Sequence, residues 1–381
     1  MHQIIFDCER MKYANTGLYY FCLNLGRAIQ QQLEQEKMSV FIPRHVSSAF
    51  GPSVSALPQH SLQKFFMPSV SQYQLWHCTY QNSNYVPRRN RKIKVLLTIH
   101  DLNFLYEDKP DRKKERYLSH LQENINRSDA IVCISEFTRN DVLTHCDVGN
   151  RPVHVIYNGT NGLPKPTLDE KSYRPRVPFL FNIGAVTRKK NQHRILPLLQ
   201  SNPYMELVLA GRHEDKEYAH FIRQQASDLN VGDRTHLVNE ISENEKSWYY
   251  HNCQAVVMPS LAEGFGLPIT EAMSVGKPVF LSKHTAMTEI GKDLAFYFHD
   301  FDNMHDDFQS GMLHYQNAGN RIREAMKAYS ATFNWEDSAR KYLEVYRSLL
   351  PELPAVLQPA PSVLTADRRE LYTLTPTNEG L

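Results

Sequence analysis

Two glutamates and two glycines share one short segment of the chain, PSLAEGFGLPITEAMSVGKPV (259–279). Gly264 and Gly266 carry no Cβ, so a ligand can approach the backbone N–H groups around them. Free N–H groups suit phosphate, whereas the carboxylates of Glu263 and Glu271 suit sugar hydroxyls, which donate strong hydrogen bonds to charged acceptors. This pattern predicts a site for a ligand with phosphates and two sets of hydroxyls, a nucleotide sugar. The alternative is a tight strand–helix turn with two solvated glutamates.

The segment is flanked by signals for a strand and a helix. AVVMPS (255–260) is typical of a buried strand, and Pro268 suits the first turn of a helix because its missing N–H would be unpaired there. Gly276 is typical of the left-handed residue that ends a helix. We therefore expect the glycine loop between a strand end and a helix N-terminus, where unpaired N–H groups and the helix dipole favour anions.

Short apolar runs alternate with amphipathic stretches, which predicts βα units around parallel sheets. Helices are predicted at 17–33 and 335–350, and strands at 3–6, 95–100, 130–135, 153–158, 179–184, 207–211, 236–241, 255–260 and 278–282. The pattern favours an α/β protein with two doubly wound, Rossmann-like domains and a ligand cleft between them. The expected divisions are an acceptor-side domain (1–160), a linker (161–178), a nucleotide-sugar domain (179–330), a C-terminal helix (331–350) and a proline-rich tail (351–381).

Composition restricts the class of protein. The 381 residues are 41% hydrophobic and 22% charged with a formal net charge of +2, so nothing indicates a nucleic-acid partner. Six scattered cysteines, the lack of a long apolar run and the lack of a leader-like N-terminus favour a cytoplasmic chain. Basic residues concentrate at 88–94 and 111–116, which are either solvated or in peripheral contact with the anionic inner face of a membrane.

Several motifs together resemble glycosyltransferase family 4. The E-x7-E block EGFGLPITE is the most specific of them. Similar segments are TGLYYFCLNL (16–25), TIHDL (98–102), SDAIVCISEFTRNDV (128–142), NIGAVTRKKN (182–191), LVLAGR (207–212), SKHTAMTEIGKDLAFYF (282–298) and FNWEDSARKY (333–342). The resemblance covers most of residues 1–350. It implies a GT-B fold and a retaining transferase that uses a nucleotide sugar.

The resemblance also implies a role for each residue of the donor site. Glu271 would bind the ribose hydroxyls. Glu263 would hold the donor sugar and the adjacent phosphate, together with the loop residues Gly264, Phe265, Gly266 and Leu267. The loop at Gly17 would close over the diphosphate.

Catalysis is implied for His100, Glu263 and Lys190. Lys190 would bind the diphosphate, and His100 would lie beside the reacting sugar on the acceptor side. The basic pair departs from the usual Arg-Lys of the family: alignment on the following asparagine favours Lys189 as the second cation, and Arg188 is the alternative. Ala185 stands where many members have arginine, so the diphosphate would have one cation fewer.

Two other motifs carry less weight. Asp300-Phe301-Asp302 imitates a metal-binding DxD pattern but follows the nucleotide motif in a polar loop, so chance is the preferred interpretation. His77, in LWHCTY (75–80), follows an apolar run and is a weaker candidate for acceptor contact. No zinc, P-loop or dinucleotide motif is present, and neither a metal nor a cofactor is expected.

The sequence therefore predicts a metal-independent hexosyltransferase that uses a UDP- or GDP-sugar. Its expected acceptor is a glycan or lipid-linked chain of the lipopolysaccharide, O-antigen or capsule type. Two alternatives stay open: a sugar-nucleotide epimerase of the same architecture, and a non-catalytic relative that binds nucleotide or glycan.

Overall fold

Two parallel β-sheets form the framework of the chain, of which a computed structural model describes residues 3–14, 16–33, 37–65, 67 and 70–350. The first sheet contains β1 (Gln3–Asp7), β2 (Lys37–Ile42), β3 (Ser55–Pro58), β4 (Leu75–Cys78), β5 (Lys94–Ile99), β6 (Ala130–Cys133) and β7 (Val153–Val155), in the spatial order β3-β2-β1-β4-β5-β6-β7. The second contains β8 (Phe179–Ile183), β9 (Glu206–Ala210), β10 (Thr235–Val238), β11 (Ala255–Met258), β12 (Val279–Leu281) and β13 (Phe296–Tyr297), in the order β10-β9-β8-β11-β12-β13.

Helices alternate with most of these strands. They are α1 (Gly17–Gln32), α2 (Asp111–Arg127), α3 (Glu136–His145), α4 (Leu196–Ser201), α5 (Lys216–Asp228), α6 (Glu243–Asn252), α7 (Leu267–Ser274), α8 (Met287–Gly291), α9 (Met304–Ser330) and α10 (Trp335–Leu349). Side-chain caps begin several of them. Ser135 caps α3, Asp215 caps α5, and Ser242 forms a reciprocal capping box with Glu245 at α6.

The central strands are buried, as expected for parallel sheets covered by helices. Strand pairings within the described residues are all parallel. The predicted fold class, two Rossmann-like domains of GT-B type, is confirmed. The residue boundaries placed at 160 and 178 stay predictions, and the proline-rich tail lies outside the described residues.

The sequence analysis missed four strands, β2, β3, β4 and β13. Two of them are too short or too polar for a local pattern: β13 has two residues, and β4 contains a histidine. β3 is half exposed at the edge of its sheet and carries little apolar signal. The nine predicted strands all have counterparts in the sheets.

The last described helix, α10, packs on α1 and thus belongs to the core of the first domain. The hydroxyl of Tyr346 lies 2.7 Å from Nδ1 of His77, and that of Tyr342 lies 3.1 Å from Oγ1 of Thr98. The ring of Phe21 contacts the edge of Trp335 at a centroid distance of 6.0 Å. The chain therefore crosses between the domains twice.

Polar contacts join the domains away from α10. Both carboxylate oxygens of Glu289 accept backbone N–H groups at the start of α3, from Glu136 at 2.7 Å and Phe137 at 2.8 Å. Nη2 of Arg212, just after β9, donates to the carbonyl oxygen of Ala14 at 3.1 Å. Glu289 thus supplies the negative charge that a helix N-terminus favours, from the opposite domain.

Across the described residues, we find no helix with the length and apolar character needed to cross a bilayer.

Candidate active site

The glycine loop lies between β11 and α7, as the sequence predicts. α7 begins at Leu267, and Pro268 occupies its first turn. Gly266 has a φ of +89° just before the helix, and Gly276 has a φ of +69° just after it. Both angles lie in the left-handed region that favours glycine, so a side chain at either position would strain the backbone.

Three backbone N–H groups at this loop are available to a ligand. Those of Phe265, Gly266 and Leu267 donate to no acceptor within the part of the chain that the structure describes. Helix N-termini leave such groups unpaired, and together with the dipole they attract anions. This loop can therefore hold a phosphate or another negatively charged group.

Gly264 brings the loop into contact with the first domain. A Cβ on Gly264 would lie 2.1 Å from the carbonyl oxygen of His100, which is far inside contact distance. Oγ of Ser135 donates to the carbonyl oxygen of Gly264 at 2.8 Å. The loop and the carboxyl end of β5 therefore face each other across the domain interface.

Lys190 and Glu263 form a largely buried ion pair. Nζ of Lys190 lies 2.5 Å from Oε1 of Glu263, and their side chains are 15% and 10% exposed. Burial raises the pKa of Glu263, but the charges of Lys190 and Lys189 outweigh it, so the pKa is lowered and the carboxylate stays ionised. A Cβ on Gly184 would lie 3.1 Å from Cε of Lys190, so the glycine leaves room for the lysine.

Glu271 lies in a second buried cluster. Its Oε1 accepts from Nζ of Lys246 at 3.0 Å and from Nδ2 of Asn161 at 3.4 Å, and its Oε2 accepts from the hydroxyl of Tyr250 at 2.9 Å. A carboxylate has about four acceptor positions. One of them is left for a ligand hydroxyl after these three contacts.

His100 is buried and held in one tautomer. Its Nε2 lies 2.8 Å from the carbonyl oxygen of Thr79, which can only accept, so Nε2 carries the proton and Nδ1 is an acceptor. Burial lowers the pKa of His100 to about 4, partly offset by the Thr79 contact. The ring packs edge-on against Phe21 at a centroid distance of 4.6 Å. A neutral imidazole is thus fixed next to the loop.

The two candidates for the second cation lie in different surroundings. Nε of Arg188 lies 3.7 Å from Oδ2 of Asp215, and its side chain is 64% exposed. Lys189 is half-buried, lowers the pKa of Glu263 by its charge, and does the same to Lys109 of the first domain. The charge of Lys189 therefore acts on Glu263, and which of the two residues serves as the second cation stays a prediction.

Gly17 is the first residue of α1, and an added Cβ there would meet nothing within 4 Å. The preceding loop touches the second domain through the contact between Arg212 and Ala14. Gly17 therefore lies at an open position beside the interface, and its role at the diphosphate stays a prediction.

Neither His77 nor the Asp300-Phe301-Asp302 motif lies among these candidate site residues. His77 is fully buried between Tyr346 and Thr98, which bind its two ring nitrogens. Asp302 pairs with Arg194 at the surface. No group of three or more potential metal ligands occurs among the described residues.

Lys246, Tyr250 and Asn161 were missed by the sequence analysis. Lys246 and Tyr250 are four residues apart on α6, about one helical turn. This spacing places both on one face of the helix and is the signal that could have linked them. Asn161 contacts three elements through its amide: Asn24 on α1, Trp335 on α10 and Glu271 on α7. No local pattern reveals such long-range contacts.

Two family models match the chain. The model described as Glycosyltransferase Family 4 matches residues 16–161, and the model described as Glycosyl transferases group 1 matches residues 165–326. Together they cover every strand of the two sheets except β1.

Individual proteins are similar at low identity. An O-antigen chain mannosyltransferase, RfbU of Salmonella typhimurium, is 27% identical over 203 residues, which are 53% of this chain and 55% of that protein. The chain thus spans about half the length of this relative. O-antigen chain mannosyltransferase B of Escherichia coli is 24% identical over 76% of this chain and 85% of that protein. The structure of HepE from Anabaena in complex with UDP-glucose superposes with a TM-score of 0.72 at 16% identity, covering 91% of this chain and 100% of HepE.

Proposed function

Because the chain belongs to the glycosyltransferases of GT-B fold, with a family 4 domain followed by a group 1 domain, we propose that it transfers a hexose from a nucleotide sugar to a glycan acceptor. One observation carries the proposal. The unpaired N–H groups of Phe265, Gly266 and Leu267 lie at a helix N-terminus, in the loop that also supplies Glu263 of the buried Lys190–Glu263 pair. Donors for phosphate and an acceptor for sugar hydroxyls thus meet at one point.

The donor of the proposed reaction is a UDP- or GDP-activated hexose, with mannose as the first candidate. The support for mannose is that both O-antigen relatives are named mannosyltransferases. The support for a nucleotide sugar is the complex of HepE with UDP-glucose, together with the phosphate-binding loop of this chain.

In this proposal each site residue contacts one part of the donor. The remaining acceptor position of Glu271 receives a ribose hydroxyl. Lys190, Lys189 and the N–H groups of the loop bind the diphosphate, and Glu263 accepts a hydroxyl of the transferred sugar. The low pKa of Glu263 suits a carboxylate that positions the sugar rather than one that takes a proton.

The proposed reaction breaks the bond between the anomeric carbon and the phosphate oxygen and forms a bond from that carbon to the acceptor oxygen on the same face. The acceptor's hydroxyl proton passes to the leaving phosphate oxygen. Lys190 and the loop stabilise the growing negative charge on the diphosphate, so this route uses neither a metal nor a protein nucleophile. Nδ1 of His100, fixed as an acceptor, orients a hydroxyl beside the reacting carbon.

The acceptor is proposed to be a lipid-linked or growing surface glycan of the O-antigen, lipopolysaccharide or capsule type. The motivation is that both relatives are named O-antigen chain mannosyltransferases. A peripheral contact with an anionic membrane face, through the basic residues at 88–94 and 111–116, would bring the cleft to such an acceptor.

The test is turnover by the purified full chain with GDP-mannose, UDP-glucose and UDP-galactose, in EDTA and with added Mg²⁺. We expect nucleotide release with one donor, unchanged by EDTA, and NMR should show a product that retains the donor's anomeric configuration. Conversion of the donor to an isomer without an acceptor would instead identify an epimerase. Tight donor binding without any turnover would identify a non-catalytic relative.

Glu271→Gln and Lys190→Ala are the informative variants, and Lys292→Gln, at an exposed site of the second domain, is the matched control. The first two are expected to lower kcat/KM by about a hundredfold or more, as for loss of a charged contact in a transition state. Wild-type turnover in either variant would reject the assigned site.

A further inference from the structure

Arg10 lies at the same edge of the first sheet as His100. It follows β1, while Tyr80 follows β4 and His100 follows β5, and these three strands are neighbours in the sheet. The carboxyl ends of parallel strands meet at one edge, which is where ligands bind in open α/β sheets. Arg10 and His100 therefore both lie at this edge of the first sheet.

The guanidinium group of Arg10 is held between two aromatic rings. Its central carbon lies 4.6 Å from the ring centroid of Tyr13 and 4.3 Å from that of Tyr80. Contacts with aromatic faces use no hydrogen-bond donor of a guanidinium, so its N–H groups stay available. The two rings thus hold the guanidinium group in place before any ligand arrives.

The N–H edge of Arg10 has no hydrogen-bond or ion-pair partner among the residues that the structure describes. Nε is buried and lacks a hydrogen-bond acceptor, and no carboxylate lies within ion-pair distance among the residues that the structure describes. The nearest acidic neighbour in sequence, Glu9, is paired with Lys12 instead. A buried donor left unpaired is costly, so this edge is suited to an acceptor that comes from outside the chain.

Three lysines lie close to one another where the two domains meet. Lys109 and Lys113 come from one segment of the first domain and Lys189 from the second domain, and burial together with the charges of Lys113 and Lys189 lowers the pKa of Lys109. Glu107 pairs with Lys109, and Asp101 is the acidic residue that acts on both Lys109 and His100. Positive charge from both domains therefore collects near Asp101, the residue that follows His100.

We propose that Arg10 binds an anionic group of the acceptor, a phosphate or a carboxylate, and so selects charged acceptors over neutral ones. The inference rests on the proposed function, since it concerns the acceptor side of the same cleft. Guanidinium groups bind both kinds of oxyanion through two parallel hydrogen bonds, and the structure offers that edge beside His100. The anion has two chemical sources, a lipid diphosphate or an acidic sugar of the glycan.

The experiment measures binding of three probes to the full chain by isothermal titration: n-octyl diphosphate, n-octyl glucuronide and the neutral n-octyl glucoside. Saturating UDP or GDP, whichever binds, keeps the probes out of the donor site. The variants are Arg10→Gln, Arg10→Lys and, as a matched control, Arg321→Gln on the exposed side of α9.

We expect the wild-type chain to bind at least one anionic probe about tenfold or more tightly than the glucoside, the range for a charged hydrogen bond. Arg10→Gln should remove this preference and Arg321→Gln should keep it. Should Arg10→Gln not fold, Arg10→Lys provides the test, because it keeps the charge and loses the planar fork; severalfold weaker anion binding is expected. Preference for the diphosphate or for the glucuronide identifies the source of the anion.

Equal binding of all three probes to the wild-type chain, or an undiminished preference in Arg10→Gln, would overturn the inference. These results differ from failure of the proposed function, which would appear in the same titrations as absence of UDP and GDP binding.

Discussion

Gly264 of the second domain lies directly against the carbonyl oxygen of His100 in the first. A Cβ added to Gly264 would lie 2.1 Å from that oxygen and 2.9 Å from Cβ of Asp101. Oγ of Ser135 also donates to the carbonyl oxygen of Gly264, so the glycine loop contacts the first domain at two points. These contacts determine how closely the glycine loop approaches the strand end that carries His100.

Gly264→Ala is therefore expected to separate the two sides of the cleft. The clash is with backbone, so we expect a loss of about 1–3 kcal/mol in the free energy of unfolding. Transfer should fall by about a hundredfold, because a shift of about 1 Å in the reacting groups has that effect. Urea unfolding and kcat/KM measure the two effects. Gly162→Ala, where the added Cβ meets nothing within 4 Å, should leave both near wild type.

Lys190→Gln should leave the carboxylate of Glu263 buried without its cation. Breaking such a pair costs about 3–5 kcal/mol, so unfolding at pH 7 should occur at clearly lower urea concentration. The double variant with Glu263→Gln should recover much of this loss. Because the pKa of Glu263 is lowered in the folded chain, the pair stabilises above the ordinary pKa of glutamate, and this contribution disappears as the pH falls through the lowered value. Additive losses in the double variant would contradict the pairing.

Lys189→Gln and Arg188→Gln should differ in donor affinity. Lys189 faces the Lys190–Glu263 pair, while Arg188 is exposed beside Asp215. We expect Lys189→Gln to raise the donor KM about tenfold, as for one charged hydrogen bond, and Arg188→Gln to change it by less than about twofold. Steady-state kinetics at fixed ionic strength provide the comparison. The reverse order would assign the second cation to Arg188.

His77 and His100 should make the chain less stable in mild acid. Burial is the main cause that lowers their pKa values, to about 3 and about 4. The unfolded chain therefore binds more protons below about pH 6.5, and stability falls as the pH drops from there towards 4, by up to about 1.4 kcal/mol per pH unit for each histidine. His77→Gln should make this slope shallower in urea unfolding at pH 7.5 and 5.0. His45→Gln, at an exposed position, should leave it unchanged.

Glu289→Ala should weaken the join between the domains at α3. The carboxylate accepts two N–H groups there, and loss of such a cap costs about 1 kcal/mol. Hydrogen exchange should become faster at the amides of Glu136 and Phe137, while the amides of α6 keep their protection. Asp293→Ala, an exposed acid nearby, serves as the control. Unchanged exchange at those two amides would show that the contact contributes nothing in solution.

The sequence predicted most of the features that depend on interactions between residues close together in the chain. The strand–loop–helix around Gly264 and Gly266 has its expected form because glycine, proline and apolar periodicity act over a few residues. β4 was not predicted because it contains His77, a polar residue. The burial of His77 depends on Tyr346, which lies far along the chain. Arg10, Lys246 and Asn161 escaped for the same reason, since their contacts arise only when distant segments meet.

The packing of α10 on α1 also bears on how the protein is made. The first domain contains a helix that is synthesised after the whole second domain. Until then, Phe21 lacks its contact with Trp335, and His77 lacks the hydroxyl of Tyr346. A nascent chain can complete the second sheet while the first still exposes the surface that α10 will cover, so the N-terminal domain is the last to finish folding.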